Sequence, residues 1–309
     1  MNSINVKTLR FKKFDEVIPL NQEMTFEKFI EFDNKEFPDI YQYKNVCVGN
    51  TLEDKINIDD PVFIISNRSV LQYVHCLVDN IGTFLFLKNY IPNLKIKIIV
   101  PKRKNFEFPI GYRDNFQKGI FQLLGFSYEE CLLFTEEKNY VFSNVYDFSE
   151  ILRSFAISNR YNFIFNEVKK HFIKFLTKYD VKKKYYISRS RMNDSRSIKN
   201  VQIFESYFKD KGYEFVFLED LSFEEQANIF YNAEEIVSVI GTGLTNTIFC
   251  DPGTRILAIN TSPDKYFWSG WCRISKEMQL NYTDISLMSE TNEAEDLINK
   301  LKSINDYNF

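Results

Sequence analysis

Three short segments of this chain carry residue types whose order and spacing could do chemistry. The sharpest is Gly241-Thr242-Gly243-Leu244-Thr245-Asn246, which reads as following a strand directly and opening a helix. Two glycines would admit a turn with positive φ and a close approach of backbone to a ligand. A helix start offers unspent N–H groups and the positive end of a dipole, which suits a diphosphate, and Thr245 and Asn246 can add side-chain hydrogen bonds. The segment is neither a Walker loop nor a complete GxGxxG, so the dinucleotide fingerprint is absent. The plainer reading is a structural turn. The second segment is Tyr185-Tyr186-Ile187-Ser188-Arg189-Ser190-Arg191, followed by Arg196. Arginines at the carboxyl end of a strand face the ligand crevice of an open α/β sheet, and a guanidinium matches phosphate oxygens in pairs. Exposed loop arginines are the alternative. The third is His75-Cys76-Leu77-Val78-Asp79. A spacing of four puts His75 and Asp79 on one helix face, where Asp79 could fix the His75 tautomer or either could act as general base. A buried pair that merely stabilises the helix stays open. His171 has no such partner in the sequence and reads as structural.

The elements that must position these residues alternate. Pro61–Ser66 reads as a buried strand, Val70–Tyr90 as a helix, Lys95–Val100 as a strand, and Asp114–Leu124 as a helix closed by Gly125. Cys131–Phe134 and Tyr140–Val145 read as short strands, and residues 1–60 as an irregular start. Residues 151–180 form one long helical pattern. Beyond it come strand Tyr185–Ser188, helix Val201–Lys211 closed by Gly212, and strand Tyr213–Leu218. A helix opens at Ser222 with Glu225 as capping-box partner. Strand Glu235–Ile240, a turn at Gly241–Gly243, a helix over Leu244–Cys250 and strand Arg255–Asn260 follow. Glu293–Ile304 is a final amphipathic helix. Alternating strands and helices predict an α/β fold with mostly parallel sheets.

Composition narrows the partners. Lysine and arginine total 39 against 42 acidic residues, for a formal net charge of -3. Nucleic-acid binding shows as a clustered basic excess; the runs Lys102-Arg103-Lys104 and Lys182-Lys183-Lys184 read as solvated surface, so no nucleic-acid partner is expected. The 31 phenylalanines and 18 tyrosines have no aligned basic groove that would make them a platform for bases. Five cysteines without a CxxC pair argue against a disulfide framework or a zinc knuckle. The first residues carry no apolar secretory core, and no run reaches the length of a membrane span. A cytoplasmic location is expected, with attachment at a membrane surface left open.

Taken in order, HxxxD, YxSR, Arg196 with Asn200, LEDLSFEEQANIF, GTGLTNTIF and DPGT resemble the family-61 glycosyltransferases over about residues 60–260. That family includes capsular-polysaccharide enzymes, xylan-decorating enzymes and protein O-linked N-acetylglucosaminyltransferases. The resemblance implies a GT-B fold: two Rossmann-like domains facing across a cleft. It implies an N-terminal acceptor-side domain over 1–155, a linker helix over 156–180, a nucleotide-sugar-binding domain over 181–290, and a terminal helix within 291–309 that could pack back on the first domain. The implied activity is inverting transfer of a sugar from a nucleotide-sugar donor, a UDP-sugar by preference, to a hydroxyl of a glycan acceptor. Arg189, Arg191 and Arg196 would meet the diphosphate, with Gly241, Thr242, Gly243, Leu244, Thr245 and Asn246 framing it. Glu219 would serve the nucleoside, and Asp79, or His75 oriented by it, would be the base. Glu225 and Gln226 match the family's helix pattern, where capping and packing are equally open roles. No cofactor and no metal are expected, since the chain has no Asp-x-Asp pair. The chain departs from the family's habit at Ile240, where a His is frequent, at Thr242, where Ala is usual, at Ile81-Gly82-Thr83, where bacterial members often carry Leu-Pro-Arg, and at Val201, where an acidic residue is frequent. A non-catalytic nucleotide-sugar-binding homologue or partner subunit stays open, as does a GT-B epimerase or phosphorylase.

Overall fold

The computed structural model describes residues 26–30, 40–48, 55–64, 73–90, 95–102, 112–134, 139–148, 163–191, 198–261, 268–286 and 293–303. These fall into two compact units, Met1–His171 and Phe172–Phe309. Both are mixed α/β.

The first unit holds strands β1 (Phe26–Ile30), β2 (Ile40–Val48), β3 (Lys55–Ile58), β4 (Val62–Ile64), β5 (Lys97–Lys102), β6 (Leu132–Phe134) and β7 (Asn139–Phe148) in the order β1-β2-β7-β4-β5-β6, with β3 also on β7. Pairs β4–β5, β5–β6, β4–β7 and β3–β7 are parallel. Pairs β1–β2 and β2–β7 are antiparallel. The expected irregular start over residues 1–60 is therefore corrected: it supplies three strands, two of which extend the sheet antiparallel at one edge. Beyond β4 the chain forms a π-helical segment, His75–Gly82, that runs straight into helix α1 (Thr83–Tyr90). The single helix expected over Val70–Tyr90 is thus two windings of one rod. Its Cys76, Leu77, Val78, Ile81, Phe84, Leu85, Phe86 and Leu87 are all buried, an apolar surface too broad for a face left to solvent. Helix α2 (Tyr112–Leu123) follows β5, and the short α3 (Tyr128–Cys131) leads into β6, so Cys131 ends a helical turn rather than starting a strand. Helix α4 (Phe163–Phe172) packs so tightly that a Cβ on Gly82 would stand 2.3 Å from Ile164 Cγ2. His171 Nε2 lies 3.3 Å from the Leu123 carbonyl, at home in its structural role.

The helix expected to run to residue 180 stops early. After α4 comes one 3-10 turn, Ile173–Phe175, and Leu176 is already extended (φ -90°, ψ 147°). Two side-chain amides capture the backbone that follows. Thr177 N–H donates to Asn228 Oδ1 at 2.8 Å, Tyr179 N–H donates to Asn232 Oδ1 at 2.7 Å, and Asn232 Nδ2 donates to the Thr177 carbonyl at 2.8 Å. Bonds from a fully buried amide offer this backbone what a further helical turn would have given it.

The second unit is one parallel sheet of β8 (Lys183–Ile187), β9 (Glu214–Val216), β10 (Ala233–Val239), β11 (Arg255–Asn260) and β12 (Asn281–Ser286), in the order β12-β11-β10-β8-β9. Ile236, Val237, Val239, Ile256, Leu257, Ala258 and Ile259 are buried, as befits central strands covered on both faces. Helices α5 (Val201–Asp210), α6 (Phe223–Tyr231), α7 (Trp268–Glu277) and α8 (Ala294–Ser303) join them. The aromatic surplus goes into this interior: Tyr186 stacks on Phe208 at 5.4 Å, and Phe208 meets Tyr213 edge-on at 5.1 Å. The second contact belongs to the end of α5. Gly212 there takes φ 83°, its N–H and that of Tyr213 bond back to Lys209 and Phe208, and the apolar pair closes the motif. The apolar face of α8 packs within its own unit: Ala294, Leu297, Ile298 and Leu301 lie in one cluster with Phe204 and Phe208.

In this sheet the first strand lies inside the second, and the chain then returns to build outward on the other side. The direction of winding reverses between β8 and β10. In open parallel sheets that reversal leaves a crevice at the carboxyl ends of the two strands, where ligands bind.

Candidate functional site

Two of the three chemical segments flank that crevice. Ser188 and Arg189 follow β8, and Gly241 and Thr242 follow β10. The β8 end is braced. Buried Ser188 donates its hydroxyl to Glu205 Oε1 at 2.6 Å, accepts the Ser190 N–H at 3.1 Å, and takes its own backbone bond to the Val216 carbonyl at 2.9 Å. Arg189 emerges half-buried from this turn. Arg191 is exposed, its Nη1 stands 2.5 Å from Asp220 Oδ2, and its guanidinium lies 3.8 Å over the Phe217 ring. Arg196 lies outside the described residues.

On the β10 side the helix is of the 3-10 type and begins at once, spanning Thr242–Phe249 with no separate turn before it. Asn246 Nδ2 donates to the Gly243 carbonyl at 3.2 Å and Thr247 Oγ1 to the Leu244 carbonyl at 2.7 Å. Both bonds reach back three residues, in step with the tighter winding. The expectation that the glycines supply positive φ is corrected. Gly241 is extended at φ -174°, and Gly243 is not among the glycines of positive φ. Space explains Gly243 instead: a Cβ there would stand 2.5 Å from Leu218 Cδ1.

The side chains of this helix divide sharply. Asn246, fully buried, is engaged inside the protein with Gly243 and with Gln226 Oε1 at 3.2 Å. Thr245 is equally buried, but its hydroxyl has no hydrogen-bond partner among the described residues. Glu219, on the 3-10 turn Leu218–Asp220 just past β9, repeats the pattern: its Oε1 is buried and without a partner there. Buried polar atoms are nearly always satisfied, and these two oxygens, on segments that follow β9 and β10, are among the exceptions. Ser222 and Glu225 form the expected capping box of α6, with Glu225 N–H to Ser222 Oγ at 3.3 Å and Ser222 N–H to Glu225 Oε2 at 2.8 Å. The Ser222 hydroxyl and N–H hold the Glu225 carboxyl below its ordinary pKa.

In the first unit His75 and Asp79 meet as the spacing required, with His75 Nδ1 2.5 Å from Asp79 Oδ2. Their exposure differs enough to separate their roles. The Asp79 side chain is 2% exposed and that of His75 32%. A shielded carboxylate on Nδ1 fixes the tautomer and leaves Nε2 as the nitrogen that can take a proton. Asn80 Nδ2 donates to the His75 carbonyl at 2.8 Å, and Thr83 Oγ1 donates to the Asp79 carbonyl. The π winding that carries the pair is itself a feature frequent at functional positions. Cys76, beside His75, is inert: burial pushes its thiol up to about 12.

Sequence reasoning named Gln226 only for capping and packing, whereas its amide joins three segments, and it missed Asn232, whose amide bonds the backbone that follows α4; the partners that reveal these roles, Asn246 for the one and Thr177 and Tyr179 for the other, are set by tertiary structure. Among the described residues no group of three or more His, Cys, Asp or Glu could hold a metal ion, and no helix is long and apolar enough to cross a membrane. Compared with known proteins, residues 73–257 match the family model described as Glycosyltransferase 61. No curated protein matches the chain significantly.

Proposed function

The chain belongs to the glycosyltransferase 61 family, and from that premise we propose that it is an inverting, metal-independent glycosyltransferase. It moves a sugar from a nucleotide-sugar donor, a UDP-sugar by preference, to a hydroxyl of a glycan acceptor in polysaccharide or glycoconjugate synthesis. The observation that carries this reading is the reversal of winding between β8 and β10, with Arg189 following one strand, a helix start following the other, and a buried Thr245 hydroxyl that has no hydrogen-bond partner among the described residues. In the GT-B arrangement we propose, the second unit holds the donor and the first supplies the base.

The chemistry follows from these parts. An acceptor hydroxyl attacks the anomeric carbon from the face opposite the leaving diphosphate. Its proton passes to His75 Nε2, and Asp79 stabilises the imidazolium that forms; the bond between the two side chains and the burial of Asp79 support this division. Charge gathers on the departing diphosphate. Arg189, the N–H groups at the start of Thr242–Phe249 and the Thr245 hydroxyl are preorganised donors for it, and donors held in place before the reaction are worth most. Arg191, tied to Asp220, would have to leave that partner to join them. The His75–Asp79 pair also speaks against a pure binding subunit, which has no use for a proton acceptor.

A thermal-shift screen over UDP-, GDP-, CMP- and ADP-sugars tests the donor site. A ligand bound only by the folded state stabilises by mass action, about 2.7 kcal/mol at a hundred times its Kd. At least one nucleotide sugar should raise the Tm of the wild-type protein and not that of Arg189→Ala. A flat response across the panel refutes the reading.

A further inference from the structure

Gln226 lies one turn into α6, 5% exposed. A buried amide is costly unless bonded, and the bonds of this one leave its own helix. Nε2 donates to the Leu218 carbonyl at 2.9 Å and to the Leu221 carbonyl at 3.1 Å, and Oε1 accepts from Asn246 Nδ2 at 3.2 Å. One side chain therefore clamps the 218–221 turn to the 3-10 helix Thr242–Phe249. The two surfaces are already in contact at Leu218 and Gly243.

What the clamp flanks gives it meaning. Glu219 sits between the two carbonyls that Gln226 holds, and Thr245 directly precedes the asparagine that Gln226 accepts from. Both side chains carry a buried oxygen, Glu219 Oε1 and Thr245 Oγ1, that lacks a partner among the described residues. Apolar contact between Leu218 and Gly243 would hold the segments together but would not fix their register, because dispersion has no direction. Hydrogen bonds from a single planar amide do fix it.

We infer that Gln226 is a positioning residue that sets the spacing between Glu219 and Thr245, so that one donor molecule bridges both, its nucleoside on the Glu219 side and its diphosphate on the Thr245 side. The inference rests on the donor-site reading above. Gln226 touches no substrate; it acts through the two segments it joins. Loss of the clamp should leave each half of the site able to bind its own fragment and should weaken only the ligand that must span both.

The test compares a spanning ligand with a fragment. Affinities of UDP, GDP and CDP, and of inorganic pyrophosphate, are measured by calorimetry on wild type, Gln226→Met and Gln226→Glu, at a temperature well below each variant's Tm. Methionine keeps the shape without the bonds; glutamate keeps the length but turns an oxygen toward two carbonyls. The best-bound nucleoside diphosphate should lose about tenfold or more in affinity, the worth of one well-made bond to a charged group, while pyrophosphate stays within about twofold. A merely structural role lowers Tm and leaves the ratio of the two affinities unchanged. Glu219→Gln, at a half-buried position, should show the same selective loss without depending on the clamp's folding. Unchanged nucleotide affinity in the folded Gln226 variants, an equal loss of pyrophosphate, or a Glu219→Gln variant that binds as wild type overturns the inference. Failure of all three nucleotides to bind the wild-type protein overturns the donor-site reading as well.

Discussion

Replacing Gly243 by alanine should destabilise the protein through one identifiable collision. The new Cβ would lie 2.5 Å from Leu218 Cδ1, whereas carbon atoms in good contact stand about 3.5–4.0 Å apart. A gap of about 1 Å must therefore open. Leu218 has little room to yield, being 5% exposed with its carbonyl held by Gln226. Overpacking of this kind costs about 1–3 kcal/mol, or a fall in Tm of about 2–4 °C per kcal/mol for a chain of this class. Equilibrium unfolding in urea measures the loss. Leu218→Ala alone should cost about 2–5 kcal/mol for the cavity it leaves. With alanine at both positions the collision is gone, so the double variant should be more stable than the sum of the single losses by about 1–3 kcal/mol. Additivity to within about 0.5 kcal/mol, as for independent sites, would refute the reasoning and return Gly243 to a requirement of backbone conformation.

Three further outcomes are expected. Gly82→Ala meets Ile164 Cγ2 at 2.3 Å and Val168 Cγ2 at 3.0 Å, so it should lose about 1–3 kcal/mol, and with Ile164→Ala the double variant should lose less than the sum of the two single losses; urea unfolding of the three variants decides it. Asp251 is pushed up by burial, but Lys178 at 2.6 Å and Lys182 at 2.8 Å outweigh this and hold its carboxyl below the ordinary value. A depressed folded pKa contributes stability that is present above the unfolded value of about 3.9 and is lost as pH falls through the folded one, so the drop in Tm below about pH 4 should be shallower in Asp251→Asn. Sugar transfer should persist in excess chelator, since Arg189 and a helix start are the groups proposed to meet the leaving diphosphate; complete loss restored by manganese would contradict that.

What could be read in advance was what local chemistry controls. The strand Arg255–Asn260 and the helix end at Gly212 follow from an apolar run and from a residue that accepts φ 83°. The Ser222–Glu225 capping box follows from a spacing of three. The His75–Asp79 bond follows from a spacing of four, which neither the α nor the π winding separates. Features set by contact between distant segments were hidden. Strands β1 and β2 are paired antiparallel at a sheet edge, a neighbourhood the irregular pattern of residues 1–60 does not announce. The early end of α4 depends on amides of Asn228 and Asn232 more than fifty residues away. Gly243 read as a turn glycine because the Leu218 methyl that needs its missing side chain comes from another element. That Arg191 is held by Asp220 and lies over Phe217 could not be read from its place in the sequence.

The most direct test of the account is the rate of sugar transfer by well-folded His75→Ala and Asp79→Asn, measured with donor affinity on the same samples. A positioned base contributes about 10²–10⁴-fold in rate, and neither side chain belongs to the unit proposed to hold the donor. Turnover should therefore fall by that factor in His75→Ala and steeply in Asp79→Asn, whose amide cannot stabilise the imidazolium, while donor affinity stays within about twofold, the pattern of a loss confined to the chemical step. A folded His75→Ala variant that transfers sugar at close to the wild-type rate would contradict the account.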